Sequence, residues 1–203
     1  MALFLFIHVV TRISWFKTYR AGILNIWMLT VFFIALLWMM RASLDSGLNI
    51  HLSGAMLMAL MFGWRLGVLG MSLVCVLISL WGNSLTSNLG ISFLVYAYFS
   101  ISFCYLIFMI VEASLPRNVY VYLFISSFFG AAINLIMTCT VSLFVLGWQN
   151  ILPWSVLFND YMPFYSLMSF AEAFMTCGLV TILIVYRPEW VYTFRDERYL
   201  NGK

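Results

Sequence analysis

Hydrophobic residues come in long blocks, separated by short polar stretches that hold most of the charge. A hydrocarbon core of about 30 Å takes about 20 apolar helical residues to cross. Blocks at 21–40, 48–64, 66–82, 93–111, 119–146 and 164–186 approach or exceed that length, the second and third forming a tight pair around Arg65. Residues 1–16 form a further apolar stretch that is too short to cross comfortably and contains Arg12, so a partial span or an interfacial helix is expected there. The pattern predicts an all-α integral membrane protein: a polytopic bundle of six full transmembrane helices plus a short apolar N-terminal segment. Residues 1–203 make one transmembrane domain, with a basic-ended segment at 1–20, the bundle at 21–186 and a cytoplasmic tail at 187–203.

Composition agrees with that reading. Hydrophobic residues make up 65 % of the chain and charged ones 8 %, against about a quarter charged in a soluble domain. The ten Lys and Arg cluster at block ends rather than on one solvated face, so the small basic excess gives no reason to expect nucleic acid as a partner. Basic residues accumulate in cytoplasmic loops. Alternation from Arg12, Lys17 and Arg20 puts Arg65, Arg117, Arg187, Arg195, Arg198 and Lys203 on one side and leaves only Arg41 outside. The C-terminus is then cytoplasmic, and loops 41–47, 83–92 and 147–163 are external. The last loop carries Trp148, Trp154 and Tyr161, rings suited to the headgroup level, and is expected to be an interfacial loop or short helix. Residues 2–10 are apolar, but no charged region precedes them and no small-residue cleavage site follows, so they are taken as part of the mature chain.

Little here suggests covalent chemistry. There is no phosphate-binding G-x-x-x-x-G-K-[ST] loop, no pair of His at helical spacing to hold haem, and no nucleophile beside a base. Cys75, Cys104, Cys139 and Cys177 each fall in a separate apolar run and read as small buried hydrophobes. Gly63, Gly67 and Gly70 have the spacing of close helix packing. Two ionisable residues inside apolar blocks stand out, since such residues mark functional positions. His51 opens the 48–64 block beside Asn49, Ser53 and Gly54, where a neutral imidazole is a ligand for nickel, cobalt, zinc or copper or else a helix-start residue bonded to a carbonyl. Glu172, about nine residues into the last block, must be protonated, hydrogen-bonded or matched with a donor, and Asn134 of the preceding block is a candidate partner. Met56, Met58 and Met61 would offer thioethers to copper(I), although Met also fills cores.

Several stretches in this order resemble the CbiM/NikM family, the membrane substrate-binding components of energy-coupling-factor cobalt and nickel importers. They are GLNIHLSGAML with LMFGWRLGVLG, then LTSNLGIS, LPRNVYVYLFISSFFGAA and SFAEAFMTCGLVTILIVYRPEW, and the resemblance covers roughly residues 21–200. The ending VYRPEWVYTFRDERYL is similar to a proteobacterial branch, which implies the bacterial inner membrane. The resemblance also implies a Co2+ or Ni2+ cargo with no covalently bound cofactor. The implied partners are a coupling transmembrane subunit, cytoplasmic ATPases and the lipid bilayer. Family members hold the metal near the outer surface with the free amino terminus, a His at the second position and a His from a later span. His51 matches the later His. Ala2 stands where the second-position His would be, and Ser92 stands where an Asn is usual. Either the chain starts further upstream or this branch has abandoned that site, and His8 is a weak substitute, too far along to use the amino terminus as co-ligand. Two functions follow as expectations: a metal importer's binding component, or a non-transporting membrane partner or assembly protein that keeps the fold without the metal.

Overall fold

The computed structural model describes residues 22–40, 42–43, 49–81, 89–150, 153–195 and 199. The N-terminal segment with Ala2, His8, Arg12, Lys17 and Arg20 lies outside the described residues, as do Arg41, Arg198 and Lys203. Helix α1 is Ile23–Met39. Ala42–Ser43 (β1) pairs antiparallel with Asn49–Ile50 (β2). Four longer helices follow: α2 Ala55–Leu80, α3 Leu89–Ser114, α4 Val119–Trp148 and α5 Trp154–Tyr186. A short 3-10 turn at Pro188–Trp190 closes the described order.

These four helices are long and apolar enough to cross a membrane, and α1 is a shorter apolar helix, so the six full spans expected from hydropathy are not found among the described residues. Two of the six account for the difference: the 21–40 block forms only the shorter α1, and the pair around Arg65 forms one broken helix. Residues 51–54 are not helical, which removes the start of the expected 48–64 span. Helix α2 is then broken at Gly63, whose φ of 73° and ψ of −174° suit glycine alone. A Cβ on Gly67 would lie 3.7 Å from the Met58 carbonyl oxygen, and Met58 Cε packs onto Gly70. In a continuous helix these pairs would stand about 13 and 18 Å apart. The chain therefore doubles back at Gly63: an arm at 55–62, about 12 Å long, packs against an arm at 64–80. Gly67 and Gly70 serve the close packing expected of them, whereas Gly63 makes the turn. The direction of the chain still reverses at each expected segment.

The break frees carbonyls at the end of the short arm, and the C-terminal stretch takes them up. Tyr192 N–H donates to Met61 O at 3.0 Å, and Leu60 O accepts from Thr193 N–H at 3.2 Å and Thr193 Oγ1 at 2.8 Å. Tyr122 OH lies 2.6 Å from Thr193 Oγ1, and the Tyr122, Phe194 and Tyr199 rings pack together. The Gly63 turn, the foot of α4 and the segment after α5 thus share one end of the bundle, which places Arg65, Arg117, Arg187 and Arg195 toward that end.

Two Trp of α1 clamp the hairpin. Trp27 Nε1–H donates to Leu66 O and Trp38 Nε1–H to Ser53 O, each at 3.0 Å. Helices α3, α4 and α5 each contain a π-helical stretch, at Phe93–Phe99, Tyr122–Phe129 and Leu157–Tyr161. The last precedes Pro163, whose missing N–H and ring disrupt the preceding turn. As a result, the second half of the expected 147–163 loop is helical: α5 begins at Trp154, ten residues before the 164 boundary.

Candidate functional site

The short arm of α2 begins inside the bundle. Its first N–H groups have no intrahelical acceptors, and neighbouring side chains supply them. Gly54 N–H donates to Glu172 Oε1 at 2.7 Å and Ser53 N–H to Oε2 at 2.9 Å. Ala55 N lies 3.3 Å from Ser53 Oγ. Glu172 is 1 % exposed and sits roughly 21 Å along α5 from Tyr186, so the arm starts deep in the bundle. Gly54, at φ 67°, turns the chain into the arm, and a Cβ there would stand 3.0 Å from Ile34. The positive end of a helix dipole facing a carboxylate adds to the two hydrogen bonds.

His51 lies just before this junction and is half-buried. Its ring centroid is 4.1 Å from that of Trp38 and 5.8 Å from that of Tyr96. Nδ1 stands 3.2 Å from Leu52 O. A carbonyl only accepts, so in that bond Nδ1 carries the proton and Nε2 the lone pair, the tautomer in which histidine ligands are held by a backbone acceptor. A small cavity beside the ring is lined by His51, Ser53, Tyr96, Leu135, Thr138, Cys139 and Tyr165, with room for about one water molecule.

Among the described residues, the other candidate site residues of the sequence do not line this cavity. Glu172 is joined to its wall through Ser53. Asn134, 1 % exposed, does not supply Glu172's donors; its Nδ2 donates to Ser100 Oγ at 3.0 Å, and Thr138 Oγ1 lies 3.4 Å from its Oδ1. Ser92 is buried one turn before Tyr96 and does not line the cavity. His8 lies outside the described residues. Met56 and Met58 are fully buried, Met58 against Gly70 and Met56 toward Gly130, so both serve packing between helices. Among the described residues no three of His, Cys, Asp and Glu gather as a metal cluster.

The sequence reading missed Tyr96, Thr138, Cys139 and Tyr165. Spacing held a signal for two of them: Tyr165, Ser169, Glu172 and Thr176 recur at three- and four-residue intervals, all buried, and Asn134 and Thr138 do the same on α4.

These features define a multi-pass membrane protein in which a broken helix starts at a buried carboxylate near a small cavity. Over residues 1–190 the sequence matches the CbiM family, the cobalt uptake substrate-specific transmembrane region, and the chain belongs to that family. That makes it a transporter component that works with other subunits in cobalt uptake rather than a member of an enzyme family. No curated protein and no solved structure matches the chain.

Proposed function

We propose that this protein is the membrane substrate-binding component of an energy-coupling-factor importer for cobalt or nickel in a bacterial inner membrane. Membership of the cobalt-uptake family carries the reading. His51 offers the ion an imidazole nitrogen at a cavity of one-ion size, with Leu52 O fixing the ring. Discontinuous helices with half-helix ends near the bilayer midplane build substrate sites in other transporters, and the 55–62 arm fits that pattern. A coupling subunit and cytoplasmic ATPases drive the motion that passes the ion inward, which needs ligand exchange and a gated path but no covalent step. Arg65, Arg117, Arg187 and Arg195 face the cytoplasm with the C-terminus.

The close, tilted packing of the His51 ring against Trp38 favours a second reading, in which the imidazole is a packing group and the protein is a partner or assembly component that keeps the fold without carrying metal. Metal analysis of the purified protein separates the two. The transport reading expects about one equivalent of nickel or cobalt after equilibrium dialysis, lost in His51→Ala while the protein remains monodisperse. Failure of the parent protein to retain either ion would leave the partner reading.

A further inference from the structure

Four of the residues lining the cavity beside His51 carry groups that can lose a proton or ligate: His51, Tyr96, Cys139 and Tyr165. A divalent ion this deep in a membrane protein needs negative charge from its ligands, because unneutralised charge in apolar surroundings is costly. Among the described residues the carboxylate joined to the cavity wall is Glu172, whose two oxygens already accept from Ser53 and Gly54 N–H. The Tyr96 hydroxyl is engaged with Ser142 Oγ at 2.8 Å. Cys139 and Tyr165 remain, 4 % and 8 % exposed. The other three cysteines sit elsewhere: Cys75 and Cys104 are buried in the main helix-packing core, and Cys177 lies 3.5 Å from Leu123 O. Cys139 is the only one of the four that lines the cavity.

We propose that Cys139 is a ligand of the transported ion, so that the site pairs the His51 imidazole with a thiolate and selects borderline and soft transition-metal cations over magnesium or calcium. The proposal rests on the transport reading above. Imidazole and thiolate bond such ions at about 2.0 and 2.3 Å, and a void the size of one water beside both groups leaves space for one ion. Tyr165, on the same wall, is placed to offer its hydroxyl as a further oxygen donor. As the metal–sulfur bond forms, the thiol proton leaves to solvent through the cavity mouth. No electron is transferred, and the thiolate offsets one of the cation's two charges. A thiolate here also separates the site from an all-nitrogen one, since sulfur favours the softer ion.

Cobalt(II) titration of the full-length protein in detergent, under reducing anaerobic conditions, tests this directly. A cobalt–thiolate bond produces a near-ultraviolet charge-transfer band that nitrogen and oxygen ligands do not give. The expected result is a band that saturates near one equivalent in the parent protein and disappears in Cys139→Ser, with affinity weakened by roughly tenfold or more, because even outer-shell losses cost about 10–100-fold. Cobalt binding that needs His51 but shows no band, or a band that persists in Cys139→Ser, would overturn the thiolate while leaving the transport reading intact. No binding of either cobalt or nickel by the parent protein would overturn both. Cys139→Ala provides a second variant should Ser disturb the fold, and the band in the parent protein depends on neither.

Discussion

Replacing Glu172 tests the central structural claim, that one carboxylate holds the start of the broken helix. Glu172→Ala removes both acceptors and leaves Ser53 and Gly54 N–H buried without partners. Each unsatisfied buried donor costs about 1–3 kcal/mol, so the variant should lose about 2–6 kcal/mol. Glu172→Gln is not a conservative change at this position. Its carbonyl can accept from one amide, but its NH2 then faces the other donor to donor, which puts the loss at about 1–3 kcal/mol. For a chain of this size about 1 kcal/mol corresponds to roughly 2–4 °C in melting temperature. Thermal unfolding in one detergent, followed by tryptophan fluorescence, should rank the parent above Gln by at least about 2 °C and Gln above Ala by a similar step. Gln melting with the parent would show that one acceptor is enough. Ala melting within about 1 °C of the parent would refute the account, because the two amides would then be finding other partners at no cost.

Gly63→Ala should destabilise the protein by about 1–3 kcal/mol, the usual cost of forcing a side chain into a glycine-only backbone region. The new Cβ would also press on the Tyr192 ring at 3.1 Å. The same melting assay checks it, and an unchanged midpoint would mean that the chain does not turn there. A reporter active only in the cytoplasm should work when fused after Lys203 and stay silent when inserted between Trp148 and Trp154; the opposite pattern would reverse the proposed orientation.

Hydropathy alone made the membrane placement legible, because runs of about 20 apolar residues have few other uses. The order and alternation of the segments were also readable. What hydropathy could not separate was a full span from a short re-entrant arm. Residues 48–64 are apolar enough to read as a span, yet 51–54 run non-helically and only 55–62 coil before Gly63. A window average registers the side chains and is blind to the backbone angle at one glycine. The start of α5 was misplaced for a related reason. Pro153, Asn159, Asp160 and Pro163 read as loop residues, but a π-helical stretch accommodates Pro163 within a helix that begins at Trp154.

The site was legible in part, and the divide follows how far each residue's role depends on distant chain. His51 and Glu172 stood out because an ionisable group among apolar neighbours is conspicuous by itself. Their relationship was hidden, since Glu172 binds backbone N–H groups well over a hundred positions away, and an amide carries no sequence signature. Asn134 was the natural guess as partner only because it has a side chain to see. Its bonds run instead to Ser100 and Thr138. The arrangement has one further physical consequence. The 55–62 arm is held at its start by Glu172 and at its end by Thr193 and Tyr192, about 12 Å away. Eight residues of helix thus connect the junction at Gly54 to Leu60 and Met61 beside the C-terminal stretch. The neighbourhood of the His51 cavity and the arginine-bearing end of the bundle are thereby spanned by one short helix, held at each end by hydrogen bonds to distant chain.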